Sequence, residues 1–396
     1  MLVRTCAACL CCLLSFGAVA QSGGWYLAVE RQAGRLLPVE PFLRGENLAG
    51  RPLSGFGATG LTLLRPVNST LPWAGTYGSP QTGFGLTFLH LGNPAELGRP
   101  VAVYRSYRSP LLRIGSLRIA YGADIGLAGG WRRYSAQTNP YNKLISTRLT
   151  AYVRLSVATE WRVSPRLSLL LNAGLSHVSN GNYRRPNAGL NGVAAGLGLR
   201  HSWPGPTAVS PASREKVPRQ DRLMISLLGA TEKRLYYTDR LPPAEKYRGI
   251  TYGIGGVNLA WERRVSAKSR LGAGMGAVYH PAARTTVALQ GDRLVRTRTA
   301  AAHRGLQFGV YPSYELIFNR WSVVARAEYR LTRPSGDEEG GRFRQRLGLQ
   351  YRLTDRWHVA TLVNARQFSI ADYVEWQVSY ALPRSRPRPG SRKRGR

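Results

Sequence analysis

From residue 144 to residue 163 the chain alternates. Odd positions carry Ile145, Thr147, Leu149, Ala151, Val153, Leu155, Val157, Thr159, Trp161 and Val163, while even positions carry Ser146, Arg148, Thr150, Tyr152, Arg154, Ser156, Ala158, Glu160 and Arg162. A period of two puts successive side chains on opposite faces of a β-strand, one apolar and one polar. The same alternation returns at Trp321–Leu331, Phe343–Leu353 and Val374–Leu382. It also runs through Arg166–Ser179, with Leu167, Leu169, Leu171, Ala173, Leu175, His177 and Ser179 on one face, and through Asn187–His201, with Asn191, Val193, Ala195, Leu197 and Leu199 on one face.

Runs of this length exceed the usual strand of a soluble protein, about 5–6 residues, and match the roughly 9–11 residues a tilted strand needs to cross hydrocarbon. Trp161, Trp321, Tyr329, Trp357, Trp376 and Tyr380 are placed to form interfacial girdles. Unpaired backbone groups are too costly in lipid for an open sheet edge, so the sheet has to close. The pattern predicts an all-β fold: one antiparallel transmembrane barrel of the outer-membrane type, with about 12–16 strands, over residues 21–382. Within it, the Pro- and Ser-rich stretch 202–222 reads as a loop rather than a domain boundary, and Gly336–Gly340 as a polar hairpin tip.

The N-terminus changes the setting. One positive charge at Arg4, an apolar stretch from Thr5 to Phe16 and small residues at Ala18 and Ala20 predict a secretory signal peptide over 1–20. Its four cysteines are all the chain has, so the mature protein has no disulfide, thiolate metal site or cysteine nucleophile. No later apolar run is long enough for a spanning helix, which excludes a helical membrane protein.

Charge then has to be explained. The 396 residues hold 56 Lys plus Arg against 21 Asp plus Glu, a net +35, and only six of the basic residues are lysine. Such a balance suggests a polyanion partner, but export argues against nucleic acid. The basic tail 383–396 reads as disordered. Codon bias and adaptation to an anionic outer leaflet each account for the arginine skew. Arginines at even, lumen-facing positions (Arg148, Arg154, Arg162, Arg326, Arg330, Arg344, Arg346) suit either an anion-selective channel or a closed interior paired with Glu160 and Glu328.

Chemistry concentrates at one hairpin. Pairing Arg166–Ser179 with Asn187–His201 about their connecting loop sets His177 opposite Asn191, Leu175 opposite Val193, Leu171 opposite Leu197 and Leu169 opposite Leu199. This register keeps apolar against apolar and places His177, Ser179 and Asn191 on the lipid-facing side. The short Ser164-Pro165 connection has the periplasmic form, so the Asn180–Pro186 loop is expected to be extracellular, with the polar trio at the outer-leaflet boundary. There a Gram-negative cell presents the acyl esters of lipopolysaccharide. A histidine two residues from a serine on one face can serve it as general base, and Asn191 can orient the imidazole. Asn180, Asn187 and backbone N–H groups are candidate oxyanion donors. Arg184 and Arg185 are placed to meet phosphate bidentately. Chance also produces His-x-Ser pairs, and polar side chains at the bilayer boundary are interfacial as well as functional. The other histidines (His90, His201, His280, His303, His358) have no serine or carboxylate at useful spacing and read as interfacial or loop residues.

His177-Val178-Ser179-Asn180 followed by Pro186-Asn187-x-Gly189 resembles the motif of the outer-membrane lipid A 3-O-deacylases, the PagL family, and of the longer acyloxyacyl hydrolases that share it. Asn139-Pro140-Tyr141-Asn142 with Ile145-Ser146 resembles the strand preceding that motif. The similarity covers roughly Thr82–His201, and the half from Leu223 to Leu382 is compatible with the longer members. The resemblance implies an esterase of lipid A with Ser179 as nucleophile, His177 as base and Asn180 in the oxyanion hole, with no metal or other cofactor. It departs from the pattern at Asn191, where the family has an acidic residue. Asparagine holds a histidine tautomer but supplies no charge to stabilise imidazolium, a loss of about 10⁴ in a serine protease. The sequence thus supports a lipid A or lipopolysaccharide ester hydrolase of the outer membrane, and as the alternative a non-enzymatic pore or structural lipopolysaccharide-binding barrel.

Overall fold

A computed structural model of the chain describes residues 24–68, 71–203, 220–332, 341–366 and 370–382. The expected signal peptide, the basic tail, the hairpin tip at 336–340 and most of the Pro/Ser-rich stretch lie outside these residues.

The sequence pattern holds at the level of strands and fails at the level of closure. The strands form two closed antiparallel barrels of eight, not one barrel of 12–16, and the chain divides into two compact units accordingly. The first barrel runs in chain order through β1 (Tyr26–Leu36), β2 (Gly55–Pro66), β3 (Gln81–His90), β4 (Gly98–Ile114), β5 (Leu117–Trp131), β6 (Thr150–Arg162), β7 (Leu167–Ser179) and β8 (Leu190–Ser202). It is shut by pairing of β1 with β8, Ala33 opposite Ala195. The second uses β9 (Asp221–Arg234), β10 (Ile250–Arg264), β11 (Ser269–Tyr279), β14 (Leu306–Phe318), β15 (Trp321–Arg330), β16 (Phe343–Arg352), β17 (Trp357–Arg366) and β18 (Ile370–Ala381). It is shut by β18 on β9, Trp376 opposite Gly229. A separate hairpin, β12 (Thr285–Gln290) and β13 (Arg293–Thr299), lies in the connection from β11 to β14. The 202–222 stretch, expected as a loop within one barrel, instead joins two: Ser202 ends β8 and Asp221 begins β9.

Each barrel is polar inside and apolar outside, the inverse of a soluble protein. In the first, fully buried Asp124 takes a bidentate pair of hydrogen bonds from Arg108 at 2.7 and 3.0 Å and a third from Arg154 at 3.3 Å. Arg154 also donates to Asn172 at 2.7 Å. In the second, Glu315 accepts from Arg222, Arg270, Ser322 and Gln350, Arg346 bridges Glu328 and Glu375, and Arg344 pairs with Asp372. Paired charges of this kind fill an interior, so of the two sequence-derived readings of the arginines the closed one applies to these residues. Arg148 and Arg162 are corrections: both are exposed, the first before β6 begins and the second at its end. Outward positions such as Leu155, Leu171, Leu197, Leu227, Met275 and Leu347 are exposed, which is stable where lipid is the solvent. In the second barrel Trp321 stacks near Tyr351 and Trp357 near Tyr380 at the short-turn end, with centroids 4.8 and 4.9 Å apart, as an interfacial girdle requires.

The predicted strand from Leu144 begins only at Thr150. The Asn142 side-chain carbonyl accepts from the backbone N–H of Leu144 and of Ile145 at 3.2 Å each, turning the chain before alternation can become a strand. Leu144 and Ile145 instead enter an apolar core with Phe42, Leu97, Trp131, Val178 and Leu190 at the long-loop end of the first barrel. That core is the floor on which the candidate site rests.

Candidate active site

Strand β7 ends in alternation: His177 is exposed, Val178 is buried in the apolar core, and Ser179 returns to the face of His177. Burying Val178 therefore fixes the side from which both polar residues project. On β8 the buried Leu190 does the same for Asn191. The two strands pair in the register that the apolar matching predicts: His177 opposite Asn191, Leu175 opposite Val193, Leu171 opposite Leu197 and Leu169 opposite Leu199.

His177 Nδ1 and Asn191 Oδ1 are 2.7 Å apart. The carbonyl oxygen only accepts, so Nδ1 carries a proton, and in the neutral imidazole Nε2 is then the nitrogen with the lone pair. Ser179 is only 8% exposed although its strand face looks outward, and its Oγ accepts a hydrogen bond of 2.8 Å from the Asn187 amide. Asn187 is held in turn, its carbonyl accepting from the Asn180 backbone N–H at 3.1 Å.

Asn180 is committed to the scaffold. Its amide donates to Ser146 Oγ at 3.1 Å and to the Arg184 carbonyl at 2.8 Å, and Ser146 donates to the same carbonyl at 2.8 Å. Of the two expected oxyanion donors, the structure thus sets Asn187 against the serine and occupies both amide protons of Asn180 elsewhere. The Arg184 side chain is exposed and Arg185 is half-buried; Arg184 contributes its backbone carbonyl to the loop.

Two residues that the sequence motifs contain without a role assigned to them matter here. Ser146 ties the segment before β6 to the loop after β7. Gly189 has φ 71°, and a Cβ added to it would lie 3.4 Å from His177 Cε1, 3.4 Å from Ser179 Cβ and 2.8 Å from the Val178 carbonyl. One methyl at Gly189 would touch both side chains, so the glycine lets the loop close over the pair. The Pro-Asn-x-Gly spacing contained that signal.

The remaining histidines divide differently from expectation. His280 has a carboxylate partner after all: its Nε2 lies 2.7 Å from Glu232 Oε2, both side chains nearly buried. Glu232 stands on β9 and His280 just past β11, the two strands that flank β10, so the contact spans one intervening strand. His358 lies 3.1 Å from Arg222 in that barrel's interior.

Residues 58–200 match the family described as lipid A 3-O-deacylase (PagL), and residues 222–384 match the acyloxyacyl hydrolase C-terminal domain. No curated protein matches the chain. Among solved structures it is similar to CdiB from Acinetobacter baumannii, with 9% identity and a TM-score of 0.18 over 91% of this chain and 60% of that one. It is also similar to the Acinetobacter baumannii outer membrane protein Omp33, with 8% identity and a TM-score of 0.17 over 91% of this chain and 100% of that one. The two family matches fall one on each barrel, and the chain belongs to the PagL and acyloxyacyl hydrolase family.

Proposed function

We propose that the protein is an outer-membrane ester hydrolase that removes an acyl chain from lipid A, with the chemistry carried on the lipid-facing side of the first barrel. The observation that supports this most is a pair of orienting contacts, Asn191 on His177 and Asn187 on the Ser179 oxygen, with His177 and Ser179 two residues apart on one face of β7. In this reading Nε2 of His177 takes the Ser179 proton as Oγ attacks the acyl carbonyl. Asn187, already donating at Ser179 Oγ, is the side chain best placed to follow the charge onto the carbonyl oxygen, while Asn180 and Ser146 act through the loop they hold. Imidazolium then protonates the departing sugar oxygen, and water releases the fatty acid from Ser179 by the reverse proton path. Arg184 and Arg185, beside the serine in the β7–β8 loop, meet phosphate on the glycolipid.

A pore is less well supported, because the interior arginines of both barrels face carboxylates rather than an open path. The site is tested by labelling the detergent-solubilised protein with a lipophilic fluorophosphonate. Labelling confined to the peptide containing Ser179, and lost in His177→Gln, supports an activated serine. An unlabelled wild-type protein that is folded contradicts it.

A further inference from the structure

The outer wall of the first barrel carries a second polar group, on β1, β2 and β3. The alternation that sends Val29 outward on β1 also sends out Arg31 and Arg35, both exposed. Arg31 donates to Thr59 Oγ1 on β2 at 2.6 Å, and Thr59 Oγ1 lies 3.1 Å from His90 Nε2 on β3. Guanidinium only donates, so Thr59 accepts from Arg31; in the tautomer where Thr59 donates to His90 Nε2, Nδ1–H is left as a further donor.

The position of the group is set by the strands. Arg35 is one residue from the long-loop end of β1 and His90 is the last residue of β3, just as His177 and Ser179 end β7. Arg35 pairs with Val193, two residues along β8 from Asn191. Only β8 separates β1 from β7, a span of about 10 Å at the usual strand spacing. Arg31 lies at the middle of its strand, where a lipid-facing arginine costs about 2–4 kcal/mol in a transmembrane barrel. Its bond to Thr59, and that of Thr59 to His90, lead from mid-strand up to the rim. Arg31, Thr59 and Glu30 line one margin of an outward trough of about 470 Å³ whose other walls include Val29, Leu169, Leu197 and Leu199.

The chemistry of the group is one-sided. Arg31, Arg35 and His90 offer donors, and the outward positions of β1, β2 and β3 carry no carboxylate, Glu30 being on the inward parity of β1. Such a surface suits an anion held in poorly hydrated surroundings, and the planar guanidinium of Arg35 matches phosphate geometry.

We infer that Arg35, with the Arg31–Thr59–His90 relay, binds a phosphate of the same glycolipid molecule whose ester lies at Ser179, on the opposite side of the site from Arg184 and Arg185. The inference rests on the proposed reading of Ser179 as a glycolipid esterase site. Phosphate at one end of the headgroup then fixes which ester reaches the serine, while an acyl chain of the molecule lies in the trough.

Binding to the full chain carrying Ser179→Ala, in detergent micelles and followed by native mass spectrometry, separates this inference from the catalytic one because no turnover is needed. The probes are a bisphosphorylated lipid A and the same lipid A after dephosphorylation. The Ser179→Ala protein is expected to prefer the phosphorylated form at least tenfold. Adding Arg35→Gln or Arg31→Gln is expected to reduce that preference severalfold, whereas Arg65→Gln, outward at the other end of β2, retains it. Unchanged preference in both the Arg35 and Arg31 variants overturns the assignment. Displacement of the lipid A by equimolar phosphatidylglycerol also overturns it, by making the strip a general site for lipid phosphate. Absence of hydrolysis by the wild-type protein with this preference intact contradicts only the esterase reading.

Discussion

His177 Nδ1 lies 2.7 Å from Asn191 Oδ1 across the β7–β8 pair, in the place where a hydrolytic triad sets a carboxylate. The contact fixes the tautomer that presents Nε2 as a base, but a neutral amide does not stabilise the imidazolium formed when that base takes a proton. Asn191→Asp keeps the shape and supplies the charge. Its kcat is expected to rise at least tenfold, within the bound of about 10⁴ known for the reverse change in a serine protease, and Asn191→Leu is expected to fall below the wild type. Equal rates for all three in a lipid A hydrolysis assay would remove Asn191 from the mechanism.

Asn187 joins the serine oxygen to the loop, donating to Ser179 Oγ and accepting from Asn180 N–H. Asn187→Asp retains the acceptor and loses the donor, so kcat is expected to drop by about 10²–10³, the usual effect of losing an oxyanion donor. KM is expected to change little. A drop confined to KM would assign Asn187 to substrate binding alone.

At Gly189 a side chain meets both catalytic candidates and a left-handed backbone at once. Gly189→Ala is expected to reduce activity more than tenfold, with a backbone cost of about 1–2 kcal/mol. The barrel strands should remain, checked by far-ultraviolet circular dichroism and by heat-modifiable mobility on gels. Full activity in this variant would show that the loop does not close over His177 and Ser179 as described.

Asp124 is fully buried between Arg108 and Arg154. Asp124→Ala leaves two interior guanidinium groups without their carboxylate, a change that usually costs about 3–5 kcal/mol. A lower unfolding temperature in detergent, followed by the loss of heat-modifiable mobility, is the expected result. An unchanged temperature would mean that the interior network contributes nothing to the first barrel's stability.

Much of the site was legible in the sequence because it is local. The pairing of His177 with Asn191 follows from matching Leu175 to Val193 and Leu171 to Leu197 across one hairpin, where register and outward parity are both written in the alternation. Closure is different. Nothing in the pattern of β1 or β8 says that Ala33 will meet Ala195 rather than let the sheet continue into β9, because a barrel's last pairing joins strands far apart in sequence. The contact of His280 with Glu232 was hidden for another reason: it joins side chains two strands apart, across β10, which no local spacing displays. At Leu144–Leu149 the fault was of another kind: alternation persists in residues that the Asn142 cap turns into a core-filling loop.

The most direct test of the central claim is mass spectrometry of lipid A from Gram-negative cells producing the protein. Wild-type protein is predicted to remove one ester-linked acyl chain, and Ser179→Ala, present in the outer membrane in equal folded amount, to leave lipid A intact. Identical spectra with and without the wild-type protein, or the same loss of acyl chain in Ser179→Ala, would contradict the account.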